Sequence, residues 1–153
     1  MQISKPKYLF GHLLPLVLWM ALIFAFSSQN GDQVGGWINA LVKPFVPTIA
    51  MDPGLVKFSV QKAAHFLEYA VLAALAWRAL RPLTARHATL LAGILSVLYA
   101  ASDEWHQSFV LGRGPSLRDV AIDGLGVVFG LAILHALLLS RWRRNTSSDK
   151  SGL

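Results

Sequence analysis

The sequence predicts an all-α integral membrane protein: a four-helix transmembrane bundle with an amphipathic interfacial helix in the first extracytoplasmic loop and both termini in the cytoplasm. Three observations lead there. The 153 residues are 54% hydrophobic and only 14% charged, against roughly 25% charged in an average soluble domain. Four apolar stretches each have the length of about 20 residues that crosses a hydrocarbon layer. The basic residues divide unevenly between the segments joining those stretches.

The length suits a single domain, and a soluble chain this small could not cover so much apolar surface with so few charges. Lipid is the natural solvent. The membrane domain spans residues 1–144. Its first stretch runs over about 8–26, with Pro15 in its first half. A signal peptide would have a short apolar core followed by a small-residue cleavage site, and three further spans follow this one. The segment after it, about 29–57, is too long for a simple connector. Within it, Val34, Trp37, Ile38, Leu41, Val42 and Phe45 recur at helical spacing, a stripe that Pro44 and Pro47 bring to an end. Such a helix lies on the outer leaflet with Trp37 at headgroup depth, or packs over the bundle as a lid. The second, third and fourth spans cover about 60–80, 87–105 and 117–139. Pro82 punctuates one gap, and Gly112, Gly114 and Pro115 another. Residues 145–153 are polar and are expected to form an unordered cytoplasmic tail.

Charge sets the orientation. With four spans, Lys5, Lys7, Arg78, Arg81, Arg86, Arg141, Arg143, Arg144 and Lys150 share one side, nine residues against five on the other: Lys43, Lys57, Lys62, Arg113 and Arg118. The richer side is cytoplasmic by the positive-inside rule, which places the protein as a multi-pass component of a cytoplasmic (inner) membrane. The net charge of +6 therefore belongs to span ends and does not point to nucleic acid. There is no cysteine, so disulfides and thiolate metal sites are excluded.

On this topology the polar residues converge at the extracytoplasmic end: Ser28 and Gln29 close the first span, and Lys62, His65, Glu68 and Tyr69 lie in the outer half of the second. Asp103, Glu104, His106 and Gln107 close the third, while Arg113, Asp119 and Asp123 open the fourth. Charged side chains at membrane depth cost roughly 2.5–3.5 kcal/mol each on insertion scales, so they face the bundle interior and find partners. His65, Glu68 and Tyr69 share a helix face, as do Asp119 and Asp123. A pocket built this way has three chemical uses. His65, Glu68, Asp103 and His106 are candidate ligands for a divalent metal ion. The same four, with Asp123, are candidates for acid–base catalysis. Lys62, Tyr69, Glu104, Gln107, Arg113, Asp119, Ser28 and Gln29 are candidates for substrate binding, with Lys62 and Arg113 suited to an anionic headgroup.

Structural roles compete for several of these. Ser116 and Asp119 have the spacing of a capping box at the start of the fourth helix. Asp103, Glu104 and Arg113 could tie the third loop down as an ion-pair network. His12, His87 and His135 read as packing or interfacial residues, Gly126 and Gly130 as a close helix contact, and Trp19, Trp77 and Trp142 as anchors.

Three segments carry a resemblance: Phe24-Ala25-Phe26-Ser27-Ser28-Gln29, Lys62-Ala63-Ala64-His65-Phe66-Leu67-Glu68-Tyr69, and the run from Ser102-Asp103-Glu104-Trp105-His106-Gln107 through Gly112-Arg113 to Asp119-Val120 and Asp123-Gly124. In that order and spacing the chain resembles the VanZ-like family of small bacterial membrane proteins, over about residues 18–130. Leu111 stands where the family often has proline. The resemblance implies a cell-envelope protein associated with lowered susceptibility to teicoplanin, a lipid-tailed glycopeptide that acts on wall precursors outside the membrane. The implied partners are membrane lipid and a lipid-linked wall precursor or anionic envelope component. A non-catalytic scaffold or lipid-headgroup-binding module is the alternative. Proton- or ion-coupled transport fits less well, because the inner half lacks acidic residues to continue a relay.

Overall fold

The computed structural model describes residues 4–42, 53–114 and 116–150, and every regular element among them is helical. Helix α1 runs Lys5–Ser27, α2 Gly31–Val42, α3 Pro53–Leu80, α4 Ala88–Gln107 and α5 Leu117–Lys150. The four expected spans fall on α1, α3, α4 and α5. Helix α3 begins about two turns before its apolar core does. The stripe expected in the first loop is α2 as far as Val42; Pro44, Phe45 and Pro47 lie outside the described residues.

Helix α1 contains one wide π-helical turn, Leu9–Leu13, and Pro15 explains it. Proline has no N–H for the carbonyl four residues back, and its ring crowds that carbonyl. The freed Gly11 carbonyl instead accepts from the Arg78 guanidinium. Nearby, the Tyr8 hydroxyl donates to the Ala79 carbonyl at 3.1 Å, and His12 Nδ1 donates to the Arg78 carbonyl at 2.9 Å. The start of α1 is thereby fastened to the end of α3, so the two run antiparallel.

Helix α3 is the centre of the fold. Tyr69, Leu72, Ala73 and Ala76 are fully buried, together with Ala88, Ala92 and Ala100 of α4 and Val127 of α5. Alanine and glycine at these contacts let helix axes approach closely. At Gly126 and Gly130 of α5 the backbone of α3 occupies the space a side chain would need, the contacts being Phe66 and Ala70. At the far end His135 donates to its own helix at Leu131 and meets Thr89 Oγ1 at 3.2 Å. Trp77 lies edge-on to it and Arg81 stacks over the Trp77 ring. These are the packing roles expected for His12 and His135.

Among the described residues two helices are long and apolar enough to cross a membrane, Lys5–Ser27 and Leu117–Asn145, and only 11% and 17% of their most apolar 18-residue windows are buried within the protein. They are therefore not the core helices of a soluble fold, whose apolar faces would be covered. Helix α5 continues to Lys150, through the segment expected to be unordered. No glycine or proline interrupts the sequence between Gly130 and Gly152, so nothing ends the helix at Asn145.

Candidate functional site

The end of α1, the start of α3, the end of α4 and the start of α5 meet at one end of the bundle, and the side chains expected to converge there do so. A cavity of about 230 Å³ opens between α1, α2 and α3. Its apolar wall is Ile23 and Phe26 from α1, Val34, Trp37 and Ile38 from α2, and Val60 and Ala64 from α3. Its polar wall is Ser27, Gln29, Gln61, His65, Glu68, Asp103 and Arg113. Helix α2 thus forms one side of the pocket and acts as the lid that the sequence suggested. Trp37, 55% exposed, belongs to both wall and surface.

A chain of hydrogen bonds holds the polar wall. Gln107 Nε2 donates to Asp103 Oδ2 at 2.9 Å, and Arg113 Nη1 donates to Gln107 Oε1 at 3.0 Å. The same guanidinium donates through Nε to the Gln29 carbonyl at 3.2 Å and reaches the Phe26 carbonyl through Nη2 at 3.5 Å. Both carbonyls sit where α1 ends: Gln29 lies just past the last helical residue, and the Phe26 carbonyl also accepts the Gln29 N–H at 3.2 Å. Gly112, with φ 74°, supplies the left-handed turn that delivers Arg113 to them. Arg113 is a clamp between the α4–α5 loop and α1, with three nitrogens already committed to the protein. That geometry does not match the free anion binder suggested by its charge.

Other expected members divide into pairs. Lys62 Nζ lies 2.6 Å from Asp119 Oδ2, so this ammonium too is engaged. His65 Nδ1 and Asp123 Oδ1 are 3.6 Å apart, an ion-pair separation longer than a hydrogen bond. Glu104 Oε1 accepts the Ser116 N–H at 2.5 Å. In a capping box that N–H would go to Asp119, so the start of α5 is held by the end of α4 and not by its own first turn. Nor do Asp103, Glu104 and Arg113 pair directly: Gln107 stands between Asp103 and Arg113, and Glu104 serves the backbone.

Ser28 and His106 form a separate contact. The Ser28 hydroxyl donates to the Phe24 carbonyl at 2.7 Å and so accepts from His106 Nε2 at 3.1 Å, while the imidazole packs on Phe24 with centroids 4.5 Å apart. Neither residue lines the pocket. A metal set of His65, His106 and carboxylates therefore does not form: among the described residues no three His, Asp or Glu side chains gather as a metal site requires.

Tyr69 is completely buried with its hydroxyl unpaired. It lies beside Tyr99, at 6.5 Å between ring centroids. The Tyr99 hydroxyl donates to the Met20 carbonyl at 2.6 Å, and Trp19 Nε1 donates to the Glu68 carbonyl at 3.0 Å. Three pocket-lining residues, Phe26, Ser27 and Gln61, were not among the site residues expected from the sequence. Helical phase marks Ser27, since Leu16, Ile23 and Ser27 stand at i, i+7 and i+11 and are the buried face of α1.

Four of the buried polar atoms without a hydrogen-bond partner belong to pocket-lining residues: Ser27 Oγ, Gln29 Oε1, His65 Nδ1 and Asp103 Oδ1. Leaving such atoms unpaired is costly, and the residues that carry them line a space of ligand size.

Helices of membrane length exposing apolar surface, with a polar pocket at one end, define a small helical membrane protein. The chain belongs to the VanZ/LLP1 family, whose model matches residues 12–139. No curated protein and no solved structure matches it. The match takes in every site residue described above.

Proposed function

We propose that the protein is a four-span cell-envelope membrane protein whose pocket receives an amphiphilic envelope molecule at the extracytoplasmic face. By holding or modifying that molecule, it lowers susceptibility to lipoglycopeptides such as teicoplanin. The observation that carries this reading is the two-sided cavity, with an apolar wall of Ile23, Phe26, Trp37 and Ile38 opposite His65, Glu68 and Asp103. A lipid or lipid-linked wall precursor has the same two-sided chemistry, apolar chain and polar head.

All four long helices cross the bilayer in this reading. Helices α1 and α5 do so by composition alone. Helix α4 exposes Leu90, Ile94 and Leu98 and α3 exposes Leu67, while buried polar residues such as Ser96 and Asp103 are packed inside, as intramembrane polar groups require. The excess of Lys and Arg at the opposite end, nine residues against five, supports cytoplasmic termini and an extracytoplasmic pocket. Wall-directed drugs act on that side.

Expression of the wild type and Asp103→Asn at matched membrane levels in a Gram-positive host, with teicoplanin susceptibility as readout, tests the function. Protection by the wild type that is lost in Asp103→Asn supports action through the pocket. Equal protection by both favours a scaffold whose activity does not use the pocket. Protection by neither removes the drug-resistance function.

A further inference from the structure

We propose that the polar end of this pocket takes a primary ammonium, so that the bound amphiphile carries an amine on its head; this rests on the pocket being an amphiphile site. The argument begins with charge. Glu68 and Asp103 line the cavity, and Arg113 is the only fixed cation among the described lining residues. Its guanidinium is already bonded to Gln29, Gln107 and Phe26. Lys62, the nearest ammonium along α3, is held by Asp119 at 2.6 Å. The remaining basic group is His65, whose Nδ1 faces Asp123 Oδ1 at 3.6 Å. The partners of Arg113 are neutral, so its charge still serves the pocket, but it is one fixed cation against the two lining carboxylates of Glu68 and Asp103. A carboxylate taken out of water in excess of cations is expensive, and a bound ammonium relieves that cost.

The unpaired atoms point the same way. Asp103 is only 4% exposed; Oδ2 accepts from Gln107, Oδ1 has no partner in full hydrogen-bond geometry, and the donor beside the carboxylate, the Tyr69 hydroxyl, is neutral. Gln29 Oε1 is a second unpaired acceptor, and Ser27 Oγ, in a residue also 4% exposed, can act as a third. An ammonium has N–H donors and no acceptor, which suits lining residues that carry acceptors without donors. A phosphate or carboxylate head would instead bring more acceptors to a wall already short of donors. Phe26 and Trp37 add aromatic faces to the same cavity, which attract a cation and repel an anion. A metal ion is the poorer fit, because no three ligands converge and the opposite wall is apolar.

The test uses purified full-length protein in phosphatidylcholine nanodiscs, titrated with decylammonium, decanol and decanoate, with bound ligand counted by native mass spectrometry. One equivalent of decylammonium is expected, bound at least about tenfold more tightly than decanol and more tightly still than decanoate, the factor of ten being the usual scale of a single charge-assisted contact. Asp103→Asn and Glu68→Gln should each erase most of that preference while leaving decanol binding unchanged, which also shows that the variants are folded. Decanoate or decanol binding as tightly as decylammonium would overturn the ammonium assignment and leave the amphiphile pocket standing. Saturable binding of none of the three would overturn both. Repeating the titration in phosphatidylethanolamine nanodiscs identifies the source. Competition by that lipid assigns the amine to a lipid headgroup, and undiminished binding assigns it to another amine-bearing amphiphile; either result upholds the class.

Discussion

Replacing Gly130 with alanine should part α3 from α5 and cost about 2–3 kcal/mol, the upper range for overpacking a close contact. The magnitude follows from what the new methyl would meet. At Gly130 it would lie 2.7 Å from Ala70 Cα and 2.8 Å from the Ala70 carbonyl carbon. At Gly126 the corresponding distances to Phe66 C and Cα are 3.0 and 3.1 Å. Carbon atoms rest comfortably at roughly 3.5–4.0 Å, so the axes must separate by about 1 Å. The obstacle is backbone, and no rotamer change can relieve it. Gly124 provides the control: nothing stands within 4 Å of its added Cβ. Gly124→Ala should be neutral or stabilising by up to about 1 kcal/mol, as for glycine-to-alanine within a helix. The assay is reversible unfolding by sodium dodecyl sulfate in mixed micelles, followed by tryptophan fluorescence. Gly126→Ala combined with Gly130→Ala should cost less than the sum of the two, because one separation accommodates both methyl groups. A Gly130→Ala protein within about 0.5 kcal/mol of wild type, the range of an inconsequential surface change, would refute the close packing of α3 on α5.

Three further outcomes follow from the site. Arg113→Lys should behave like Arg113→Gln, loosening the α4–α5 loop in limited proteolysis, because a single ammonium cannot replace a planar fork bonded to Gln29, Gln107 and Phe26. Lys62→Met should destabilise by about 1–3 kcal/mol by stranding a largely shielded Asp119 carboxylate; adding Asp119→Asn should recover most of the loss, and a cycle without coupling would show that the pair is incidental. Trp37→Ala should leave the unfolding midpoint almost unchanged, since the side chain is 55% exposed, yet weaken both decylammonium and decanol because both use the apolar wall, decylammonium the more because the aromatic face also attracts its cation. Loss of ammonium binding alone would mean that Trp37 acts on the head and not on the chain.

The helices were legible because composition and breakers suffice for them. Apolar runs ending at Pro82 and Gly112 place α4 and the start of α5 to within a few residues. Helix α3 begins seven residues early because its first turns are not apolar enough to announce a span, and α5 departs most, running eleven residues past its apolar stretch through polar residues that contain no helix breaker. The gathering of polar residues was legible for a related reason. Once alternate spans reverse direction, Gln29, His65, Asp103 and Asp123 share an end whatever the rotation of each helix. Pairing was not legible, since it depends on rotation and on the distance between axes. Ser27 faces the cavity and Ser28 does not, although they are neighbours and only a helical phase of about 100° separates them. His106 turned to Ser28 and not to His65 for the same reason. Arg113 was read by its charge, whereas its role follows from two carbonyls that the end of α1 brings within its reach, which no sequence motif records.

The site also depends on the small residues far from it in chemical character. Helices α3 and α5 run parallel, and their contacts keep a nearly constant offset along the chain: Phe66 with Gly126, Ala70 with Gly130, Lys62 with Asp119 and His65 with Asp123. The two ionic contacts are thus the continuation, one and two turns on, of the ladder that the glycines allow. A lysine and a histidine on one helix can meet two aspartates on another only if the axes stay close over that whole length. Substitutions at Gly126 and Gly130 should therefore lengthen the Lys62–Asp119 and His65–Asp123 separations as well as destabilise the bundle. Packing and chemistry are here one constraint on the same helix face, so a family that keeps the polar residues of this site has a physical reason to keep residues without side chains behind them.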